Sequence, residues 1–147
     1  MRVVPLLALT LSAGAVSTAA AASDSTIRGI TIEAKPRDVG LVVGDGARPT
    51  RFSVAAHRLT CGRGALEAAG LSFRRLDRVR SGRFSHSATF TRRRGGRVLA
   101  HKVSIAGETV NGDPESWAGS FEHRVTVKRR GKVLERCRYE VAWLASS

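Results

Sequence analysis

Histidines are the side chains in this sequence best suited to move protons, because an imidazole titrates near neutrality without a large environmental shift. Two of them, or one with a glutamate, could pass protons at a ribose hydroxyl and at a leaving oxygen while arginine holds the phosphate. That is the chemistry of a ribonuclease-like hydrolase. The four candidates are His57, His86, His101 and His123.

The spacing of two of these histidines argues against a shared catalytic role. If Gly95-Gly96 is the turn of a hairpin, His101 lies opposite Phe90 and His86 lies opposite Ile105. At the usual strand rise the two imidazoles are then about 13 Å apart. They cannot act on one substrate atom, so we favour histidines half buried on strands and predict no catalytic residue.

Clustered arginines could form a polyanion-binding patch, or they could be solvated turns that keep the protein soluble and blunt the sheet edges. The arginine bias is also what a GC-rich genome produces. The chain has 25 Lys and Arg against 12 Asp and Glu, a formal net charge of +13. Such a charge attracts nucleic acid, acidic wall polymers or anionic lipid without specificity. With few aromatic residues between the cations, we do not expect specific nucleic-acid binding. The candidate polyanion-binding residues, which lie in two basic turns, are Arg92, Arg93, Arg94, Arg97, Arg129, Arg130 and Lys132.

Acidic residues gather in one segment, from Gly107 to Ser116, which we interpret as an exposed loop. Its Glu108, Asp113 and Glu115 could bind calcium or form a glycosidase pair. Their spacing does not match an EF-hand, and we predict no metal site there. The loop could instead be presented by a secreted protease inhibitor. The sequence has no G-x-S-x-G, phosphate loop or C-x-x-C, and we predict no cofactor.

The amino terminus predicts export. Arg2, an apolar run from Val3 to Val16 and an A-x-A site at Ala20-Ala21-Ala22 are typical of a signal peptide covering residues 1–22. No second apolar segment could span a bilayer. Residues 23–147 would then be one secreted domain, extracellular or associated with the cell envelope.

Two cysteines fit that compartment, because disulfides persist outside the cytoplasm. Pairing Cys61 with Cys137 would close a long loop and stabilise the fold by roughly 4.5 kcal/mol in the chain-entropy model. A zinc site would need His123 and a second histidine nearby, so we favour the disulfide.

The elements that must position these residues are short strands. Alternating apolar residues predict strands at 27–34, 39–43, 52–61, 71–79, 84–91 and 98–106, and a final hairpin at 117–144. Gly64 to Gly70 has a helical composition and predicts at most one helical turn. Seven or eight strands with turns about every ten residues indicate an all-β fold, an antiparallel β-sandwich, immunoglobulin-like or a small barrel.

The last hairpin is predicted in detail. A three-residue loop at Arg129, Arg130 and Gly131 would set Val127 opposite Val133 and His123 opposite Cys137. On the other face Glu122 would meet Arg138 as a cross-strand ion pair.

The end of the chain resembles a class of uncharacterised secreted β-sandwich proteins from high-GC actinobacteria. The resemblance rests on a cysteine-tyrosine-valine-tryptophan face and on two Gly-x-Phe strands before a Trp-x-Ala ending. Its residues are Cys137, Tyr139, Val141 and Trp143, with Gly82-Arg83-Phe84, Gly119-Ser120-Phe121 and Trp143-Leu144-Ala145. It covers the second half of the chain and implies a secreted sandwich without implying an activity.

We therefore expect a secreted, non-enzymatic β-sandwich protein that acts by binding or as a structural module. The first specific hypothesis is that it binds acidic cell-envelope polymers through its basic hairpin tips. A cationic ribonuclease-like hydrolase and a secreted protease inhibitor are the alternatives.

Overall fold

The computed structural model describes residues 23–147, and the predicted signal peptide lies outside them. Eleven strands make up the described part of the chain. They are β1 (Ser25–Thr31), β2 (Asp38–Gly44), β3 (Arg48–Val54), β4 (His57–Cys61), β5 (Gly64–Ala68), β6 (Leu71–Phe73), β7 (Arg78–Arg80), β8 (Arg83–Arg94), β9 (Arg97–Val110), β10 (Asp113–Arg129) and β11 (Lys132–Ser146).

All strands belong to one antiparallel sheet, in the order β6-β3-β2-β1-β11-β10-β9-β8-β7, with the β4–β5 hairpin attached to β11. The sheet curls, so that Phe52 of β3 packs against Phe84 of β8 with ring centroids 6.1 Å apart. The predicted all-β antiparallel class is confirmed, with eleven strands rather than seven or eight. No helix in residues 23–147 is long and apolar enough to cross a membrane.

Four local predictions were wrong. The predicted strand from Leu71 to Val79 is two short strands, β6 beside β3 and β7 beside β8, because the two ends of this segment pair with different neighbours. Gly64–Ala68 is strand β5, because its backbone pairs along the whole of β4 and that pairing overrides the helical propensity of its alanines. The predicted strand from Phe52 to Cys61 is two strands separated at Ala55 and Ala56. In the predicted loop from Gly107 to Ser116 the chain turns at Asn111 and Gly112, and strands β9 and β10 extend into the segment, with a shift in their pairing between Asp113 and Trp117.

The register of the β8–β9 hairpin is as predicted. Gly95 and Gly96 form its turn with positive φ angles of 55° and 73°. His101 pairs with Phe90, and His86 pairs with Ile105. The two histidines are therefore held four residue pairs apart, on the inner face of the sheet.

The predicted register of the β10–β11 hairpin was wrong by two residues. Its turn has two residues, Arg130 and Gly131, both with positive φ, and the pairing shifts between Val127 and Lys128. His123 therefore lies opposite Tyr139 rather than Cys137. Because a shift of two restores the side-chain alternation, Val127, His123 and Cys137 stay on the inner face. Val133, predicted to join them, lies beyond the shift in pairing and is exposed.

The predicted ion pair on the outer face of this hairpin is present, although the pairing register is different. Arg138 donates to Glu122 at 2.9 Å across the two strands. In the observed register Glu122 lies opposite Glu140, so Arg138 reaches it diagonally. The diagonal neighbour on an adjacent strand lies within reach of a long side chain.

The core lies in the concavity of the curled sheet and is rich in aromatic residues. Trp117, Trp143, Phe52 and Phe121 are completely buried. Gly107 leaves room for this packing, since a Cβ atom there would lie 2.6 Å from atoms of both Phe84 and Trp143. The small residue is therefore required by close packing of the rings.

The predicted disulfide is confirmed. Cys61 and Cys137 are bonded across a sequence separation of 76 residues, and they are directly paired in the β4–β11 register. The bond ties the β4–β5 hairpin to the centre of the sheet. Because His57 begins β4, the disulfide also helps to hold His57 inside the fold.

Candidate functional site

The two basic turns lie side by side at one end of the sheet. Arg94 pairs with Arg97 next to the β8–β9 turn, and Arg129 pairs with Lys132 next to the β10–β11 turn. Val98 and Lys128 join the two hairpins in the β9–β10 register. We call this end the basic tips, and its members are the seven cations predicted from the sequence, Arg92, Arg93, Arg94, Arg97, Arg129, Arg130 and Lys132.

The basic tips carry charge that no neighbouring carboxylate neutralises. All seven residues are exposed. The ion pairs within residues 23–147 join other residues, such as Arg58 with Glu67 and Arg83 with Glu108. Arg92 instead lies over the ring of Phe90, 5.3 Å from its centroid, a cation–π contact. The tips are thus a concentrated positive surface available to an anion.

A cavity of about 210 Å³ lies under the first basic turn. One wall is formed by Arg92, Arg93 and Arg94 of β8, and the facing wall comes from the β4–β5 hairpin. His101 and His123 also line it. The cavity therefore connects the charged surface to buried imidazoles of the core.

Three histidines form a continuous hydrogen-bonded row behind this cavity. His57 Nδ1 lies 3.0 Å from the carbonyl oxygen of Ala55. His57 Nε2 is 2.8 Å from His123 Nδ1, and His123 Nε2 is 2.8 Å from His101 Nδ1. We call these three residues the histidine row; their exposed fractions are 1%, 0% and 9% for His57, His123 and His101.

The Ala55 carbonyl fixes the proton positions along the neutral row. A carbonyl can only accept, so His57 Nδ1 carries a hydrogen and His57 Nε2 is an acceptor. His123 then donates from Nδ1 and accepts at Nε2, and His101 donates from Nδ1. His101 Nε2 is left as a lone pair, buried and without a hydrogen-bond partner among residues 23–147.

Burial keeps the row neutral. Desolvation is the main cause that lowers the pKa of all three histidines. The pKa of His123 is lowered the most, to about 3 with all causes together. His57 and His101 contribute to this shift after desolvation, because two adjacent imidazolium charges repel each other. Arg92 also lowers the pKa of His101. Near neutral pH, His101 Nε2 is therefore an acceptor.

The far end of the row is braced by a tyrosine and a glutamate. The ring of Tyr139 lies against that of His57, with centroids 4.7 Å apart. Its hydroxyl donates to Glu33 at 2.5 Å, and Thr31 donates to the same carboxylate oxygen. Burial and the bond to Glu33 raise the pKa of Tyr139. These contacts hold His57 in place, while His101, at the opposite end of the row, is among the residues that line the cavity.

Other sequence candidates do not join this site. His86 contacts Asp77, with 3.0 Å between Nδ1 and the carboxylate, and packs on Phe73. Glu108 pairs with Arg83 at 3.1 Å, and Asp113 accepts hydrogen bonds from its own turn. Three of the four predicted half-buried histidines are instead buried and hydrogen-bonded to each other.

A larger groove of about 790 Å³ lies at the opposite end of β8, β9 and β10. Small side chains such as Ser85, Ala106 and Ser120 line it, and its Arg83 and Glu108 neutralise each other. It has the greater volume but lacks the histidine row and its buried acceptor. The cavity at the basic tips is therefore the better candidate site.

No family model matches this chain, and neither a curated protein nor a solved structure shows significant similarity to it. The resemblance to secreted actinobacterial proteins stays a prediction from the sequence. The chemical argument for function rests on the basic tips, the cavity and the histidine row.

Proposed function

We propose that this protein is a non-enzymatic secreted module that binds an acidic polymer of the cell envelope through the basic tips. The observation that carries the proposal is the register: β9 pairs with β10 so that both basic turns lie at the same end of the sheet. Two clusters separated by more than thirty residues in sequence thereby become one surface. The four adjacent strands β8, β9, β10 and β11 contribute cations to this surface. At a spacing of about 4.8 Å between neighbouring strands, the surface is about 14 Å wide.

Such a surface suits a linear polyanion better than a single small anion. Each arginine can contact a phosphate or carboxylate in bidentate fashion, and neighbouring turns can contact successive repeats. Since the tips lack acidic partners among the described residues, binding breaks no ion pair. Counterion release from the polymer then favours association and makes it depend on salt.

The geometry of His123 favours binding over the hydrolase alternative. Both of its ring nitrogens are engaged by other histidines, and its side chain is fully buried. His86, the other histidine considered for that role, is engaged with Asp77. His123 therefore cannot contact a substrate oxygen without giving up a hydrogen bond that it makes in the fold.

The test is retention on immobilised heparin and on isolated cell wall across a salt gradient. The tip variant carries Arg97→Ser, Arg129→Ser and Lys132→Ser, three exposed residues that do not line the cavity. The matched control carries Arg28→Ser, Arg78→Ser and Arg80→Ser, which removes the same charge. Arg28 pairs with Ser146, at the end of β11 opposite its basic turn.

We expect the tip variant to elute at much lower salt than the control, and the control to elute close to the wild type. An equal decrease in the eluting salt concentration for both variants would mean that retention depends only on the net charge of the protein. That result would contradict a dedicated surface at the tips. Release of soluble fragments from RNA or wall by the wild type, lost in His101→Asn, would contradict the non-enzymatic part of the proposal.

A further inference from the structure

We propose that the cavity at the basic tips is a subsite for a hydroxyl group carried beside an anionic group, with His101 Nε2 accepting the hydroxyl's hydrogen bond. The inference rests on the polyanion binding proposed above and names the chemistry of the repeat. It predicts a polymer whose phosphate or carboxylate groups alternate with hydroxylated units, rather than an anion without donors.

The polarity of the histidine row makes His101 Nε2 an acceptor. The row begins at a group that can only accept, the Ala55 carbonyl, and every imidazole donates from Nδ1 toward that carbonyl: His57 to Ala55, His123 to His57 and His101 to His123. Reversing the row would place two lone pairs against each other at Ala55. With no net proton on the row, every consistent arrangement therefore leaves the lone pair at His101 Nε2.

A buried lone pair without a protein partner discriminates between ligands. Leaving such an acceptor unpaired costs free energy, and a ligand that brings a donor recovers it. A site that hydrogen-bonds a substrate hydroxyl rejects analogues that lack it much more strongly than an apolar pocket does. An anion without a donor would bind the arginines and still leave Nε2 unpaired.

The surrounding cavity fits an anionic repeat. Its volume of about 210 Å³ is several times the ~30 Å³ that a water molecule takes up in the liquid. Arg92, Arg93 and Arg94 line it together with His101, so a charge and a hydroxyl can be recognised together. Nε2 itself is closed to solvent in the unliganded fold, so the hydroxyl reaches it through a local shift of the cavity wall. Glu67, the carboxylate in its lining, is paired with Arg58 at 3.4 Å. The ring of Phe90 stacks on His101 at 4.4 Å and holds the imidazole in place.

Two pairs of small probes isolate the hydroxyl. Bis(2-hydroxyethyl) phosphate and diethyl phosphate have the same charge and differ in their hydroxyl groups. Glycolate and propionate are the matching carboxylates. Binding is followed at pH 7.5 through the imidazole ¹⁵N resonances of the full mature protein, where the His101 Nε2 signal reports a new hydrogen bond directly.

The variant is His101→Asn. An asparagine amide nitrogen takes the place of Nδ1, so it can still donate to His123 Nε2, but no atom replaces Nε2. We expect the wild type to prefer a hydroxylated probe over its partner by roughly threefold to tenfold, the value of one neutral hydrogen bond. The preference should disappear in His101→Asn.

Preference in the phosphate pair alone would identify a polyol phosphate as the repeat, and preference in the carboxylate pair alone a hydroxylated acid. Equal affinities within both pairs, or a preference that persists in His101→Asn, would overturn the subsite. Heparin retention of His101→Asn separates the two proposals. Unchanged retention leaves the basic tips as the polyanion surface whatever the probes show, whereas poor retention of the wild type itself would contradict the proposed function.

Discussion

Removing the middle of the histidine row should cost far more stability than removing its end. In His123→Leu, His57 Nε2 loses its donor, and His101 Nδ1 loses its acceptor. Two buried polar atoms are newly unpaired, at about 1–3 kcal/mol each, so the expected loss is about 2–6 kcal/mol. In His101→Leu only His123 Nε2 becomes unpaired, while the unpaired His101 Nε2 disappears, and the expected loss is about 0–2 kcal/mol.

Urea unfolding at pH 7.5, where the row is neutral, measures this difference. With an m-value of about 1.5 kcal/mol/M, a loss of 3 kcal/mol lowers the midpoint by about 2 M. Both histidines are buried and both substitutions place the same leucine in the same core. Generic loss of packing would therefore lower both midpoints alike. Equal midpoints, or a lower midpoint for His101→Leu, would refute the row as described.

Two further predictions concern stability. Because the folded-state pKa of His123 is lowered from 6.5 to about 3, the unfolded chain binds protons below pH 6.5 that the native row excludes. The free energy of unfolding should thus decrease as the pH is lowered from 6.5, by at most about 1.4 kcal/mol per pH unit for each histidine. Urea midpoints measured between pH 6.5 and 5 should depend less on pH in His123→Leu than in the wild type, and an equal dependence would contradict this. Gly107→Ala should destabilise by about 1–3 kcal/mol, since its Cβ would meet Trp143 at 2.6 Å; an unchanged thermal midpoint would contradict that packing.

Side-chain alternation is what made the inner face predictable. Period two places His101 with Leu99 and Val103, and His123 with Phe121 and Val125, on the face that the core covers. The prediction of this face survived a register error in the last hairpin, because the error was two residues. The sequence thus indicated that both histidines face inwards.

The row itself could not be predicted, because it depends on which strands become neighbours. His101 and His123 meet through the β9–β10 pairing, and His57 comes from β4, which reaches the sheet beside β11. Neither contact follows from local periodicity. The one usable signal was the cysteine pair, since a bond from Cys61 to Cys137 places β4 beside the final strand, four residues from His57.

The predictions for strand β5 and for the β9–β10 turn were wrong for a different reason. Gly64 to Gly70 has the composition of a helix, but cross-strand hydrogen bonds with β4 outweigh propensities of a few tenths of a kcal/mol per residue. Asn111-Gly112 is a strong signal for a two-residue hairpin turn, and both residues have positive φ. Interpreting the acidic residues around it as a loop concealed that signal.

The salt dependence of polyphosphate binding tests the central claim most directly. If all seven tip cations contact the polymer, a slope of about −0.7 per contact predicts a loss of about a thousandfold in affinity between 50 and 200 mM salt. With Arg97, Arg129 and Lys132 replaced by serine, four contacts remain and the loss should be about fiftyfold. The control variant, lacking Arg28, Arg78 and Arg80, should keep the wild-type slope. Parallel slopes for the wild type and the tip variant would contradict the account, because they would show that the polymer does not contact the basic tips.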